Sequence, residues 1–276
     1  MRTRIALLPL VSLLVALPAA AQVTPFQNFP DVTTTAKAGE TILLPSYNWL
    51  EAVSKPGGEK QNLIYYHQKM VTPGAKTSKI AYTVGNKEVD IPNSYIVAIP
   101  KGGKAKVGDI VLTWWQSGSG MQRAIVVKAD DPAKPVVRYL DLSYDNPAKS
   151  RDKTTTIGQM NEQLASDSFT LLKEGAPGSV YRCMDGAKAA RVRLISEAPN
   201  GQLFVIGHAG FPKVFAKTAC KPTPLKPKVK AGDEVEVEFA GGFTKAKVER
   251  VDAKIGRVFV KLFGREAGVA FGDLMP

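Results

Sequence analysis

Residues 234–239 read Glu-Val-Glu-Val-Glu-Phe, a strict alternation of charged and apolar side chains. Side chains of a strand point alternately to its two faces, so this run is a half-buried strand with Val235, Val237 and Phe239 on one side. Gly241 and Gly242 then supply a turn, and Lys245 to Val251 alternate again. Residues 252–256 turn the chain once more, 257–263 read as a third strand, 264–268 as a turn and 269–271 as a fourth strand. By alternation Phe239, Phe243, Phe259 and Phe263 belong to a core.

The same order recurs upstream, and repetition restricts a fold more than any single element does. Residues 106–112 open a unit, Gly118 and Gly120 mark its turn, 123–127 and 136–140 are strands, and 168–172 close it. Between them, 141–163 read as a polar connection, with a short helix expected within 154–166. Another copy opens at Gly178, turns at Asp185 and Gly186, and runs through 190–195 and 203–206 to 213–220. A weaker copy opens at Lys37-Ala38-Gly39-Glu40 and ends at 95–100 after a long irregular middle. The joints are rich in Pro and Lys, most clearly 221–228. The expected division is an N-terminal extension over 22–36, a degenerate unit over 37–104, and further units over 105–173, 174–225 and 226–276. Units of this size with short antiparallel strands imply small all-β barrels of about five strands, close to the smallest size that folds unaided.

Residues 1–21 carry Arg2 and Arg4, an apolar run from 5 to 17, and Ala19-Ala20-Ala21 before Gln22. A basic start, a short apolar stretch and small residues at a cleavage site spell a secretory signal peptide. The expectation is an exported protein, periplasmic or extracellular, with no transmembrane segment in the mature chain. Its two cysteines, Cys183 and Cys220, are then expected to pair as a disulfide. Losing Arg2 and Arg4 leaves 35 basic against 25 acidic residues, a surplus of ten. Lys101, Lys104, Lys106, Lys221, Lys226, Lys228 and Lys230 crowd the joints. They serve either solubility and strand-edge protection or attraction to an anionic polymer. The compartment disfavours nucleic acid as a partner.

The residues offer little for catalysis. His67 and His208 are the only histidines, and both read as surface or turn residues. Ser117-Gly118-Ser119-Gly120 lacks the strand–turn–helix setting of a nucleophile elbow and reads as a turn. The acids of 130–131 and 141–152 have no calcium-loop spacing. No metal-ligand spacing and no phosphate loop is present, so no cofactor is expected and an enzyme is disfavoured.

The pattern of Gly-Asp, alternating strand, Gly turn, Ala-x-Val strand, Val-x-Val strand and Leu-x-Pro resembles the SH3-like barrels of the Tudor and Agenet families. It is best at 232–276, fair at 106–172 and 178–224, and poor at 37–100. The resemblance implies tandem five-stranded barrels, about four in number, and an aromatic cage that holds a methylated cation by cation–π attraction. Trp114, Trp115, Tyr139 and Tyr144 stand at corresponding positions. Alternation puts Trp114 and Trp115 on opposite faces, so one could be core and the other packed on a neighbouring barrel, or the set could form a ligand site. The expected function is an exported, non-catalytic binding or scaffold protein for a protein or envelope partner. Binding of an anionic envelope glycan is the alternative, and a wall-directed enzyme a third reading.

Overall fold

The structure is a computed structural model that describes residues 23–83, 87–142, 159–239 and 242–275. The expected signal peptide lies outside these residues. Among the described residues twenty strands form four antiparallel sheets of five. The first sheet holds β1 (Thr41–Pro45), β2 (Tyr65–Thr72), β3 (Thr77–Tyr82), β4 (Lys87–Pro92) and β5 (Val97–Ile99). The second holds β6 (Ile110–Trp114), β7 (Met121–Lys128), β8 (Val136–Tyr139), β9 (Asn161–Gln163) and β10 (Thr170–Leu171). The third holds β11 (Val180–Asp185), β12 (Lys188–Glu197), β13 (Gln202–Ile206), β14 (Pro212–Ala216) and β15 (Cys220–Pro222). The fourth holds β16 (Glu234–Phe239), β17 (Gly242–Asp252), β18 (Arg257–Leu262), β19 (Arg265–Ala270) and β20 (Leu274–Met275).

All four sheets have one topology. The first four strands form a meander, and the fifth returns to pair with the first, giving the order 4-3-2-1-5 each time. The repetition extends to single residues. Gly39, Gly108, Gly178 and Gly232 precede the first strands with φ between 75° and 94°. Only glycine takes this left-handed backbone without penalty. Each donates its N–H to the second strand of its unit, to the carbonyls of Met70, Val126, Leu194 and Val248. Each second strand is bulged directly after that acceptor, at 70–72, 126–128, 194–196 and 248–250. A bulge adds one residue and bends the strand, so the same corner is built four times. In three units an acid closes the opening turn from its side chain, with Lys37, Lys106 and Lys230 N–H donating to Glu40, Asp109 and Asp233.

The first unit, weakest in the sequence, is therefore a full copy. Its pattern is obscured by an insertion between β1 and β2 that contains α1 (Tyr47–Val53). Two other expectations need correction. Residues 161–163 are strand β9, not helix, because they pair with β8; residues 154–158 lie outside the described set. In the fourth unit 265–268 continue strand β19 in register with β18, so the turn is confined to Phe263 and Gly264.

The four sheets share a core. One buried apolar cluster contains Ile42 of the first unit, Leu112 of the second, Phe204 of the third and Val237 of the fourth. The N-terminal segment joins it: Phe26 and Phe29, with Tyr95, surround Phe204 at ring distances of 5.7, 5.8 and 5.4 Å. Polar contacts link the first unit to the third, where Ser196 Oγ donates to Ser94 O at 2.9 Å, and the third to the fourth, where Thr223 Oγ1 donates to Gly272 O at 2.6 Å. Cys183 and Cys220 are disulfide-bonded and pair across β11 and β15, tying the first strand of the third unit to its last. Among the described residues no helix is long and apolar enough to cross a membrane.

Candidate binding surface

Of the four expected cage residues, Trp114, Trp115 and Tyr139 are described, and each has partners within the fold. Trp114 ends β6 and stacks on His67 of β2, with ring centroids 4.8 Å apart and planes at 21°. It serves the joint between the first and second units. Trp115 turns to the second unit's own core and donates its indole N–H to Ser117 Oγ at 2.9 Å. Gly118 lies so close under this ring that a Cβ there would stand 2.2 Å from it. Tyr139 is buried, its hydroxyl donating to Glu162 Oε2 at 2.5 Å and accepting from the Gln116 N–H at 3.1 Å. Burial and the Glu162 carboxylate raise its pKa far above the ordinary phenol value. Tyr144 lies outside the described residues.

The open aromatic surface belongs to the fourth unit, where alternation placed a core. Only Phe259 of the four phenylalanines is buried. Phe239 is 49% exposed and Phe263 is 75% exposed, and their rings meet at 5.0 Å. Phe239 follows the buried Val235 and Val237 on one face of β16, but it lies past the end of the small core. Phe263 is in the β18–β19 turn with φ 47°, so strand alternation does not govern it. Nearby, the Arg182 guanidinium of the third unit covers the half-buried Phe243 ring at 4.8 Å and pairs with Glu236 of β16.

A buried ion network joins the second, third and fourth units. Arg123 of β7 is fully buried. Its Nη2 reaches Asp141 Oδ1 and Asp273 Oδ1, both at 2.6 Å, and its Nη1 donates to Phe271 O at 2.9 Å. Arg191 and Arg193 of β12 bind the same two acids, Asp273 and Asp141, each at 2.6 Å. Burial opposes ionisation of Asp141, but the three guanidiniums outweigh it and hold its carboxyl well below the usual range. The second, third and fourth units are thus clamped through charge that solvent screens far less than it does on the surface. None of these residues was singled out in the sequence as a site; the one available signal was Arg123 directly before the apolar run 124–127.

His67 is a surface residue, exposed on strand β2 rather than in a turn. Partial desolvation and the Lys69 charge both lower its pKa. His208 opens a short 3-10 turn, His208–Gly210. Among the described residues no group of three or more His, Cys, Asp or Glu is placed to hold a metal ion.

No family model matches this chain, and no curated protein matches it. Among solved structures it is similar to the crystal structure of Arabidopsis thaliana AGDP1 AGD34. That match has 12% identity and a TM-score of 0.25, and covers 51% of this chain and 84% of that one.

Proposed function

We propose that this chain is an exported, non-catalytic scaffold of four SH3-like, Tudor-like barrels that docks a protein or envelope partner on the aromatic surface of its fourth unit. The observation that carries the reading is the Phe239–Phe263 pair, two large apolar rings in contact and open to solvent. Exposed apolar groups that cluster mark interaction sites, and aromatic side chains with arginine dominate binding energy at interfaces. Arg182 already occupies the face of Phe243. That favours an apolar protein contact over capture of a methylated cation in this unit. The fourfold repeat of small five-stranded sheets and the secretory character of residues 1–21 support the scaffold reading and the exported location.

The test is capture from envelope extract by residues 22–276, at low and high salt, with wild type and with the Phe239→Ser/Phe263→Ser pair. A specific protein retained at high salt by wild type and lost by the variant supports the reading. Equal capture by both proteins overturns it. Exposed Lys221, Lys226, Lys228 and Lys230 favour the second reading, an anionic envelope glycan. Capture of glycan at low salt only would support that one instead.

A further inference from the structure

β5 and β10 are the closing strands of the first two units, and each ends its sheet with one free edge. Both edges border one cleft of about 530 Å³, lined by Ile96, Ala98 and Pro100 of the first unit, Leu171 and Leu172 of the second, and Ile195 of the third.

Antiparallel strands alternate between residue pairs that exchange hydrogen bonds and pairs that do not, and a residue of the second kind points its N–H and C=O away from its partner strand. Leu172 N–H donates to Ile110 O at 2.9 Å, so the neighbouring pair, Leu171 and Val111, is of the second kind. Met70 N–H donates to Glu40 O at 3.0 Å, so two residues along the strand Ile42 exchanges its bonds with Gln68 of β2 and turns none toward Ala98, its partner on β5. The N–H and C=O of Ala98 and of Leu171 therefore point off their sheets. Among the described residues none of these four groups has a hydrogen-bond partner.

Ala98 and Leu171 are equivalent in the repeat. Ala98 pairs with Ile42, three past Gly39, and Leu171 pairs with Val111, three past Gly108. In the third unit this place belongs to Pro222, opposite Tyr181, three past Gly178. Proline has no N–H and blocks an open edge. The third unit is thus closed at the position where the first two are open.

Charge at the cleft is also uneven. Lys173 is the one cation of its lining and makes no ion pair among the described residues, whereas the one acid, Glu197, is held by Lys217 at 2.7 Å.

We propose that this cleft takes an extended segment of a partner polypeptide, which adds a strand to the open edge at Ala98 or Leu171, with uncharged side chains against Ile96, Leu171 and Ile195 and an acidic residue toward Lys173. A donor and an acceptor offered by one residue match those of one residue in another extended chain, and such main-chain bonds supply affinity in strand addition. The cleft shares no residue with the Phe239–Phe263 surface, so its test is independent of docking there.

Calorimetric titration and amide hydrogen exchange of the full chain test it, with acetyl-Thr-Val-Thr-Val-Thr-Glu amide and the same peptide N-methylated throughout as probes. The unmethylated peptide should bind about tenfold or more tightly, the ratio of about one net hydrogen bond. It should also slow exchange at Ala98, Leu171 or both, and the slowed amide names the edge. Ala98→Pro and Leu171→Pro copy what the third unit carries, and each removes an edge N–H without touching a ladder bond. The double variant should lose the preference for the unmethylated peptide at an unchanged melting temperature. Equal affinity of wild type for the two peptides overturns the inference, as does unslowed exchange at both Ala98 and Leu171. So does an undiminished preference in the folded double variant.

Discussion

Arg123 and Asp273 stand 150 positions apart in the chain and meet at 2.6 Å, one in the second unit and the other beside the last strand of the fourth. The same Asp273 oxygen accepts from Arg191 of the third unit. One carboxylate thus joins three sheets, and removing its principal partner should be felt across all of them.

Arg123→Met removes one of the two guanidiniums closest to the buried Asp141 and leaves Arg193 to neutralise it. Truncating one side of a buried pair costs about 3–5 kcal/mol, more than the pair itself contributes against an apolar substitute. Urea unfolding monitored by circular dichroism should show a loss of that size. A loss under about 1 kcal/mol, the value of a surface pair, would show that the network is slack.

Asp141 also sets an acid response. Its folded pKa is depressed, so its stabilising contribution is fully present above the ordinary carboxylate pKa and is lost as pH falls through the folded value. Melting temperature should hold from neutrality to about pH 4 and fall steeply only below it. Asp141→Asn should be less stable at neutral pH and flatter in acid. A wild-type decline already complete at pH 5 would contradict this.

Gly272 and Gly264 both have φ 80°, yet they differ in surroundings. A Cβ on Gly272 would stand 2.3 Å from Arg123 Nη1, whereas one on Gly264 meets nothing within 4 Å. Both alanine variants carry the left-handed penalty of about 1–2 kcal/mol. Gly272→Ala should lose about 1–3 kcal/mol more through overpacking. Equal urea midpoints for the two variants would mean that the Arg123 guanidinium moves aside freely.

The Cys183–Cys220 bridge closes a separation of 37 residues within the third unit. The loop-entropy relation assigns such a closure roughly 4 kcal/mol. The Cys183→Ala/Cys220→Ala pair should lose stability of that order, with hydrogen exchange rising first in β11 and β15. Uniform acceleration across all four sheets would instead place the bridge at the centre of the whole assembly.

His67 reports on the joint between the first two units. Its proton NMR titration should have a midpoint below the ordinary 6.5, as the direction of its shift requires. Trp114→Ala should move that midpoint back upward by uncovering the ring. A midpoint at or above 6.5 in wild type would show that the stack is open in solution.

Much of the fold was legible because its controls are local. The glycines at 39, 108, 178 and 232 mark the start of every unit, and alternation exposed β16 and β17 plainly. The first unit was hidden by its insertion, since the opening at 37–40 and the strands that answer it are separated by residues of another period. The site was less legible. Alternation tells which way a side chain faces, but not whether a core is there to receive it, and Phe239 overshoots its core. Phe263 lies in a turn, where the rule does not apply. The ion network depends on side chains from three units meeting, which no spacing along the chain reveals.

The four sheets form one body, held by a shared apolar core and the Arg123 network. Scanning calorimetry of residues 22–276 tests this most directly. The account predicts one transition with equal calorimetric and van't Hoff enthalpies, and in Arg123→Met a transition that broadens or splits. Several resolved transitions in wild type, each with the enthalpy of one small unit, would contradict it.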